Sequence, residues 1–385
     1  MLQRLSQHHL EYITLWYLLQ HSLSSFYKLT DYYGSVSAAL QAQQDWGKLN
    51  LHASHLKRVQ EFLKPSSQKY FADLVMSIQH QSDFIVCVDD PDYPKQLLNY
   101  NDKPPLLFGQ GHPDILNTAQ IAIVGSRKPS PHGRQVAYDF AYYLSEKGFY
   151  INSGLALGID EAAHMGGLQH GKTIAVMATG LETTYPSQHQ ALRQQIIASG
   201  GAIISEFLPF TKPLQHHFPR RNRIVSGLSL GVVVAEATLK SGSLITAKIA
   251  AEQGKSIFAI PGHIYSEYHQ GCHLLIREGA TLIDHPEQVL EDLALATEWQ
   301  FQQQVHVTTK PKTTQEIAPE ESKLLIPDHL NDLYQVLDWQ GQDLDQLCQK
   351  LQQDAATVTG QLMELELLGI AMQQSGLYLR CGSRQ

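Results

Sequence analysis

Cysteine is scarce in this chain: Cys87, Cys272, Cys348 and Cys381 are the four among 385 residues, and none forms a CxxC pair. That excludes a zinc ribbon and a disulfide framework, and it fits a reducing compartment. Long apolar runs are missing as well. The most hydrophobic stretch near the N-terminus, YITLWYLL, is short and follows Glu11 and a pair of histidines. It reads neither as a signal peptide nor as the ~18 apolar residues of a membrane span. The expectation is a cytoplasmic protein with no membrane contact.

Charge is sparse too, at 17% of residues against 43% hydrophobic, with a net charge of −8. A soluble globule with a sizeable core follows, long enough for one large domain and one or two small ones. The acidic balance argues against a protein that coats nucleic acid non-specifically. It leaves room for one basic groove, because net charge averages over all faces. Two local absences are more telling. No acidic residue lies between Phe207 and Ala235, where Lys212, Arg220, Arg221 and Arg223 all occur. Conversely, no Lys or Arg lies between Leu351 and Leu379, where Asp354, Glu364 and Glu366 occur.

Residues 1–78 carry helical periodicity and almost no strand signal. From 79 to 297 the texture changes. Short strand-like runs, DFIVCVDD and PPLLFGQG, precede a regular alternation of IAIVG, FYINS, TIAVMAT, AIIS, GVVVAEA and SIFAIP with amphipathic stretches at 133–147, 158–170, 187–199, before 230, and 243–253. Apolar strands alternating with helices predict an α/β fold: an extended Rossmann-like, doubly wound, mainly parallel sheet whose ligands sit beyond the strands' carboxyl ends. Residues 298–325, rich in Gln, Thr, Lys and Pro, read as a linker. Residues 326–385 read as three helices and a hairpin turning at Ser375–Gly376, a winged-helix-like unit.

Three motif matches fail on context. GGLQHGKT at 166–173 satisfies the P-loop pattern, but a P-loop needs a strand before it and a helix after it, and here the order is reversed. GLSLG at 227–231 matches the nucleophile elbow, again ahead of its strand, so Ser229 reads as a turn serine. His263, His269, Cys272 and His273 cluster within eleven residues, yet His269 and His273 share a helix face only if a helix runs through Gly271. No metal, cofactor or catalytic residue is assigned.

Three other loops follow core strands and carry donors. Gly125, Ser126, Arg127 and Lys128 follow IAIVG; the glycine is expected to free backbone amides toward an anion at the next helix start, with Arg127 adding a planar fork. The spacing is not GxGxxG, so a dinucleotide is poorly supported. SGLALGIDEAAH at 153–164 places Asp160, Glu161 and His164 at a helix start, where a structural role is favoured over catalysis. HHFPRRNRIVSGLS sets Phe218 and Pro219 among Arg220, Arg221, Asn222 and Arg223, the ingredients for stacking bases along a tracked backbone. LKSGSLITAK adds Ser241, Gly242, Ser243, Thr246 and Lys248. Such an edge suits several phosphates rather than one.

The order of VGSR, SGLALGIDEAAH, GLETTYP, ISEF, FPRRNRIVSGLS, EATLKSGSLITAKIA, FAIPG and GCHLLIREGATLI resembles the DNA processing protein A family, DprA or Smf, over roughly residues 85–285. The resemblance implies a Rossmann-like domain that binds single-stranded DNA, forms homodimers and loads the recombinase RecA during natural transformation. It assigns the basic pocket to Gly125, Ser126, Arg127, Phe218, Arg221, Asn222 and Arg223. It also implies a sterile-alpha-motif-like N-terminal domain. Ser187 stands where relatives often carry lysine, predicting a weaker pocket edge. The competing function is a phosphoribohydrolase of the lysine-decarboxylase-like group, whose PGGxGTxxE signature is met only by KSGSLITAKIAAE, without the glycine pair or the glutamate at that spacing. The cation-poor C-terminal unit is expected to contact protein or pack on the core, not to bind duplex DNA.

Overall fold

A computed structural model describes residues 5–294, 327–337, 342–367, 371–374 and 377–380. Two compact units divide between Thr309 and Lys310. The linker expected at 298–325 and the turn at Ser375–Gly376 lie outside the described residues.

The first unit is built on a nine-stranded sheet: β1 (Phe84–Cys87), β2 (Leu106–Gly111), β3 (Gln120–Gly125), β4 (Tyr150–Ser153), β5 (Thr173–Val176), β6 (Ala202–Ser205), β7 (Gly231–Glu236), β8 (Ser256–Ala259) and β9 (Thr281–Leu282). Their spatial order is β1-β2-β6-β5-β4-β3-β7-β8-β9. The pairs from β6 through to β9 are parallel, while β1–β2 and β2–β6 are antiparallel. From β3 the chain winds outward to β6, then returns to place β7 on the other side of β3. The topological switch point, where such sheets bind ligands, is therefore the crevice between β3 and β7.

The strands read as unbroken apolar runs because both faces are covered. On one face Ile121, Ile123, Val233 and Phe258 pack against Ala137, Phe140 and Leu144 of α6 (Pro131–Glu146) and Ile159 and Ala163 of α7 (Ile159–Leu168). On the other, Ala122, Val124, Val232 and Val234 meet Ile224 and Val225 of α9 (His217–Leu228) and Ala247 and Ala250 of α10 (Ser243–Glu252). The remaining covering helices are α8 (Gln190–Ala198), α11 (Gln270–Arg277) and a helix over 287–294, α12.

The P-loop-like glycines have a packing reason. A Cβ on Gly166 would stand 2.3 Å from the Tyr138 carbonyl oxygen of α6. Only glycine lets the two helices approach this closely, and α7 then ends before β5 begins, the reverse of a phosphate loop. Ser229 likewise follows α9 and is buried, its hydroxyl donating to the Val225 carbonyl at 2.9 Å.

Five helices precede the sheet: α1 (Gln7–Leu18), α2 (Leu23–Tyr33), α3 (Val36–Gln41), α4 (Ala53–Phe62) and α5 (Pro65–Gln81). They do not close a core of their own. Ile13, Trp16, Phe26 and Leu74 share one apolar cluster with Cys87 of β1, Phe108 of β2, Ala175 of β5 and Ile203 of β6. Trp16 also donates its indole N–H to the Glu206 carbonyl at 2.9 Å. Among the described residues no helix is long and apolar enough to cross a membrane.

The second unit is a winged helix. Its helices are α13 (Asn331–Val336), α14 (Leu344–Leu351) and α15 (Ala355–Leu367), and its hairpin is β10 (Ala371–Gln374) with β11 (Leu377–Arg380). Leu330, Leu333, Leu347, Val358, Leu362 and Leu365 form the core. Gln342 exchanges both backbone hydrogen bonds with Tyr378, a single antiparallel bridge onto β11.

Candidate functional site

A cleft of about 710 Å³ opens at the switch point between β3 and β7. Its lining holds Gly125, Ser126, Arg127 and Lys128 from the loop after β3, Phe218, Arg221 and Asn222 from α9, and Ser241, Gly242 and Ser243 from the start of α10. Those ten sequence-predicted residues converge. Arg220, Arg223 and Lys248 do not line it. Four cations face the cleft, Arg127, Lys128, Arg221 and Lys240, against one carboxylate, Asp160. In a chain of net charge −8 this is a focused positive surface.

The arginines of the RRNR segment have separate fates. Arg220 forks onto the Glu206 carboxylate through Nε and Nη2 at 3.0 and 2.9 Å, and its plane lies 5.4 Å from the ring centroids of Trp16 and Phe207. Arg223 donates Nη2 to the same carboxylate at 2.6 Å. Glu206 is wholly buried, so both arginines are held as the counter-charges of one internal anion. Sequence reading missed this pairing because the acid-free window opened at Phe207, one residue past the partner, although ISEF displays it.

Arg221 does line the cleft, but from inside. It is 4% exposed, and Nη1 donates to the carbonyls of Gly154 and Val176. A Cβ on Gly154 would stand 2.4 Å from this guanidinium, so glycine is what admits it. Burial lowers the Arg221 pKa to about 10, with Asp160 opposing the shift and Arg127 adding to it. Asp160 is buried in turn and accepts the amides of Gly154 and Ala156 at 3.1 and 3.4 Å; burial raises its carboxyl above the usual range despite these partners.

In the loop after β3 two amides are engaged within the protein. The Ser126 amide donates to the Glu236 carbonyl at 2.8 Å, and that of Lys128 to the Ser126 hydroxyl at 3.1 Å. At the start of α6 the buried Glu236 carboxylate accepts from the Ser130 amide and hydroxyl at 2.8 and 2.7 Å. The place where a helix N-terminus would receive a phosphate is filled by the protein's own carboxylate. The side chains of Arg127 and Lys128 stay exposed to an anion.

Arg127 lies 5.0 Å over the Phe218 ring, and Tyr185 stands 5.5 Å from Phe218, ring to ring. This cation and two aromatics line the same cleft as the exposed Lys128 and Lys240. Sequence reading did not name Tyr185 or Lys240; the signals were YP and LKSG, each directly after a strand or its loop. Ser187 is exposed and lies outside the lining.

The candidate acid–base residues are engaged elsewhere. His164 is fully buried; Thr173 donates its hydroxyl to the Ile151 carbonyl, so His164 Nδ1 donates to Thr173 at 2.7 Å and Nε2 accepts the Leu155 amide at 3.3 Å. Burial lowers its pKa to about 3, keeping it neutral. Glu161 pairs with Arg134 at 3.0 Å. Against expectation a helix, α11, does run through Gly271 and brings His269 and His273 to 6.5 Å, ring to ring, but His273 Nε2 meets the Gly262 carbonyl at 3.0 Å and the Cys272 thiol turns to the Val234 carbonyl. Among the described residues, the ligand atoms that come together are instead those of His8, Cys87 and Asp90.

Known proteins repeat this architecture. Residues 84–294 match the family of DNA recombination-mediator protein A, and residues 314–376 match the DprA winged helix domain. Protein Smf of Escherichia coli is 37% identical over 84% of this chain and 84% of its own length. DNA processing protein DprA of Streptococcus pneumoniae is 44% identical over 58% of this chain and 80% of its own. The crystal structure of the pneumococcal protein superposes with a TM-score of 0.62 at 35% identity, covering 75% of this chain and 98% of that one. DNA processing protein A from Helicobacter pylori, described for its single-stranded DNA binding mode, gives 0.50 at 31% identity over 55% and 96%. Family match, winged helix and matched length agree on one assignment: the chain belongs to the DprA/Smf family of DNA recombination mediators.

Proposed function

We propose that the cleft binds single-stranded DNA without sequence preference, and that the protein protects incoming strands in the cytoplasm and loads the RecA recombinase onto them as a homodimer. The observation that carries this reading is the Arg127–Phe218–Tyr185 wall flanked by Lys128 and Lys240. Aromatic faces stack any base, and loose cations track a backbone. The Glu236 carboxylate in the helix-start seat supports a phosphate gripped in passing by side chains, rather than one wrapped by amides as in a nucleotide site.

What supports binding without turnover is the state of Asp160 and His164, both buried and both engaged by the loop they organise. A phosphoribohydrolase needs a carboxylate free to face its substrate; Asp160 is the carboxylate that lines the cleft, and two amides hold it. Self-association through the Rossmann-like domain is supported by exposed apolar side chains, Ile264 and Tyr265 in the loop after β8 and Leu282 on the edge strand β9. The winged helix is read as a protein-contacting module, since α15 exposes Glu364, paired with His329 at 2.7 Å.

Fluorescence anisotropy with single- and double-stranded oligonucleotides across salt tests the reading. Contacts from Arg127, Lys128 and Lys240 predict a slope of log affinity against log salt near −2, at about −0.7 per phosphate. Arg127→Ala should reduce it by about 0.7. Equal affinity for duplex and single strand, an unmoved slope, or release of base from nucleoside monophosphates would refute it.

A further inference from the structure

A second cavity, of about 220 Å³, lies where the N-terminal helices meet the loop between β6 and α9. Its size is below the ~300–1,000 Å³ of sites that enclose a whole drug-sized ligand, and suits one planar ring. Three aromatic side chains line it in series. Tyr17 stands 6.3 Å from Tyr70, and Tyr70 stands 5.9 Å from Phe210, with Tyr70 and Phe210 45% and 46% exposed. Arg58 lies 4.5 Å over the Tyr17 ring, and its Nε is buried without a hydrogen-bond partner. His21, also in the lining, accepts the Leu208 amide and is held neutral by burial. Arg58 is therefore the cation of this cavity.

The backbone around it is strained. Among the described residues six that are not glycine have positive φ, and three of them, Gln20, His21 and Phe210, line this one cavity. Such conformations cost ~1–3 kcal/mol each and gather at sites of function. Here they turn Phe210 outward, its amide fixed by Glu182 at 2.7 Å.

The two cavities are lined by neighbouring stretches of one loop. Thr211 lines the small one and Pro213 the large one, so at most about 7 Å of chain separates them. The residue between is Lys212, exposed. A strand leaving the Arg127–Phe218 wall would meet Lys212 and then the Tyr70–Phe210 rings.

Resting on the reading of the main cleft as a strand site, we propose that the Tyr17–Tyr70–Phe210 cavity is a second stacking site. It takes one base of the strand after it crosses Lys212, and Arg58 holds the adjoining phosphate. The N-terminal helices then belong to the DNA-binding surface.

The test uses the full chain and oligothymidylates of increasing length. Affinity should step upward once the oligonucleotide is long enough to span both cavities. Tyr70→Ala and Arg58→Ala should remove that step, weakening long oligonucleotides by about 5- to 150-fold, the range for one lost stacked base, and leave short ones unchanged. Arg127→Ala should weaken both lengths. Photo-crosslinking of a strand carrying 5-iododeoxyuridine to the unaltered protein should label Tyr70 or Phe210, which decides the matter even if a variant misfolds. Long-strand affinities of both variants within twofold of the parent, or crosslinks confined to the main cleft, would overturn the second site while leaving the main one standing. Failure of the unaltered protein to bind short strands would instead remove the reading on which it rests.

Discussion

Arg127 and Arg221 both line the cleft, and the structure predicts opposite consequences for their loss. Arg221→Ala takes away the donor of two buried carbonyls, those of Gly154 and Val176, and the positive field beside buried Asp160. Removing one partner from such a buried charge arrangement costs about 3–5 kcal/mol, a large share of the ~5–15 kcal/mol that holds a protein folded. Arg127→Ala removes an exposed side chain whose intramolecular contact is the Phe218 face, worth at most about 1 kcal/mol at such a site. Its loss should appear in binding, where a charge-assisted hydrogen bond contributes about 1.5–3 kcal/mol, or ~10- to 150-fold. Urea denaturation followed by circular dichroism, beside anisotropy across salt, separates the two. Arg221→Lys should fall between, because one ammonium cannot fork onto two carbonyls. Asp160→Asn combined with Arg221→Ala should cost less than the sum of the single changes. If Arg221→Ala denatures at the parent's urea concentration and flattens the salt slope as Arg127→Ala does, then Arg221 grips the strand directly and this account of the cleft is wrong.

Two further perturbations test the interior. His21 and His164 are buried with pKa values lowered to about 3, from an unfolded value of 6.5, by burial first. Their contribution to stability is complete above pH 6.5 and is lost as pH falls toward 3; between pH 7 and pH 5 the pair should cost about 4 kcal/mol. His164→Gln should roughly halve that dependence in denaturation measured at both pH values. Glu206→Gln leaves Arg220 and Arg223 without their shared anion, and should destabilise the fold by about 3 kcal/mol or more. Strand affinity under folding conditions should be unchanged, and a loss of binding at full stability would place these arginines on the DNA.

Much of the fold was legible because continuous apolar runs and amphipathic stretches alternate. IAIVG, FYINS, TIAVMAT, AIIS, GVVVAEA and SIFAIP became β3 to β8, and the stretch expected at 133–147 became α6. Both misleading motifs were rejected by element order alone, as α7 before β5 and α9 before β7 bear out. Less legible was the reach of the N-terminal helices. Trp16 and Leu74 bury themselves against β2 and β6, and periodicity names a buried face without naming what covers it. Least legible was which cation stays free. Arg127 and Arg220 look alike in sequence; an acid fourteen residues upstream of Arg220, and reached through the fold, withdraws one from solvent and leaves the other exposed. The role of Glu236 was hidden the same way, because its partner Ser130 belongs to a strand–helix junction 106 positions earlier.

That internal carboxylate bears on how the cleft behaves in a crowded cell. A vacant helix start in a Rossmann-like crevice would attract any free mononucleotide, and those are abundant wherever DNA is handled. With Glu236 seated at the start of α6, ATP or a loose deoxynucleotide finds that helix start already occupied, and a single phosphate group gains little from cations spread along the cleft. A polymer, touching several of them at once, gains from each. On the proposed reading the groove favours a long strand over a single phosphate, so added ATP should displace a bound strand no more than its ionic strength does.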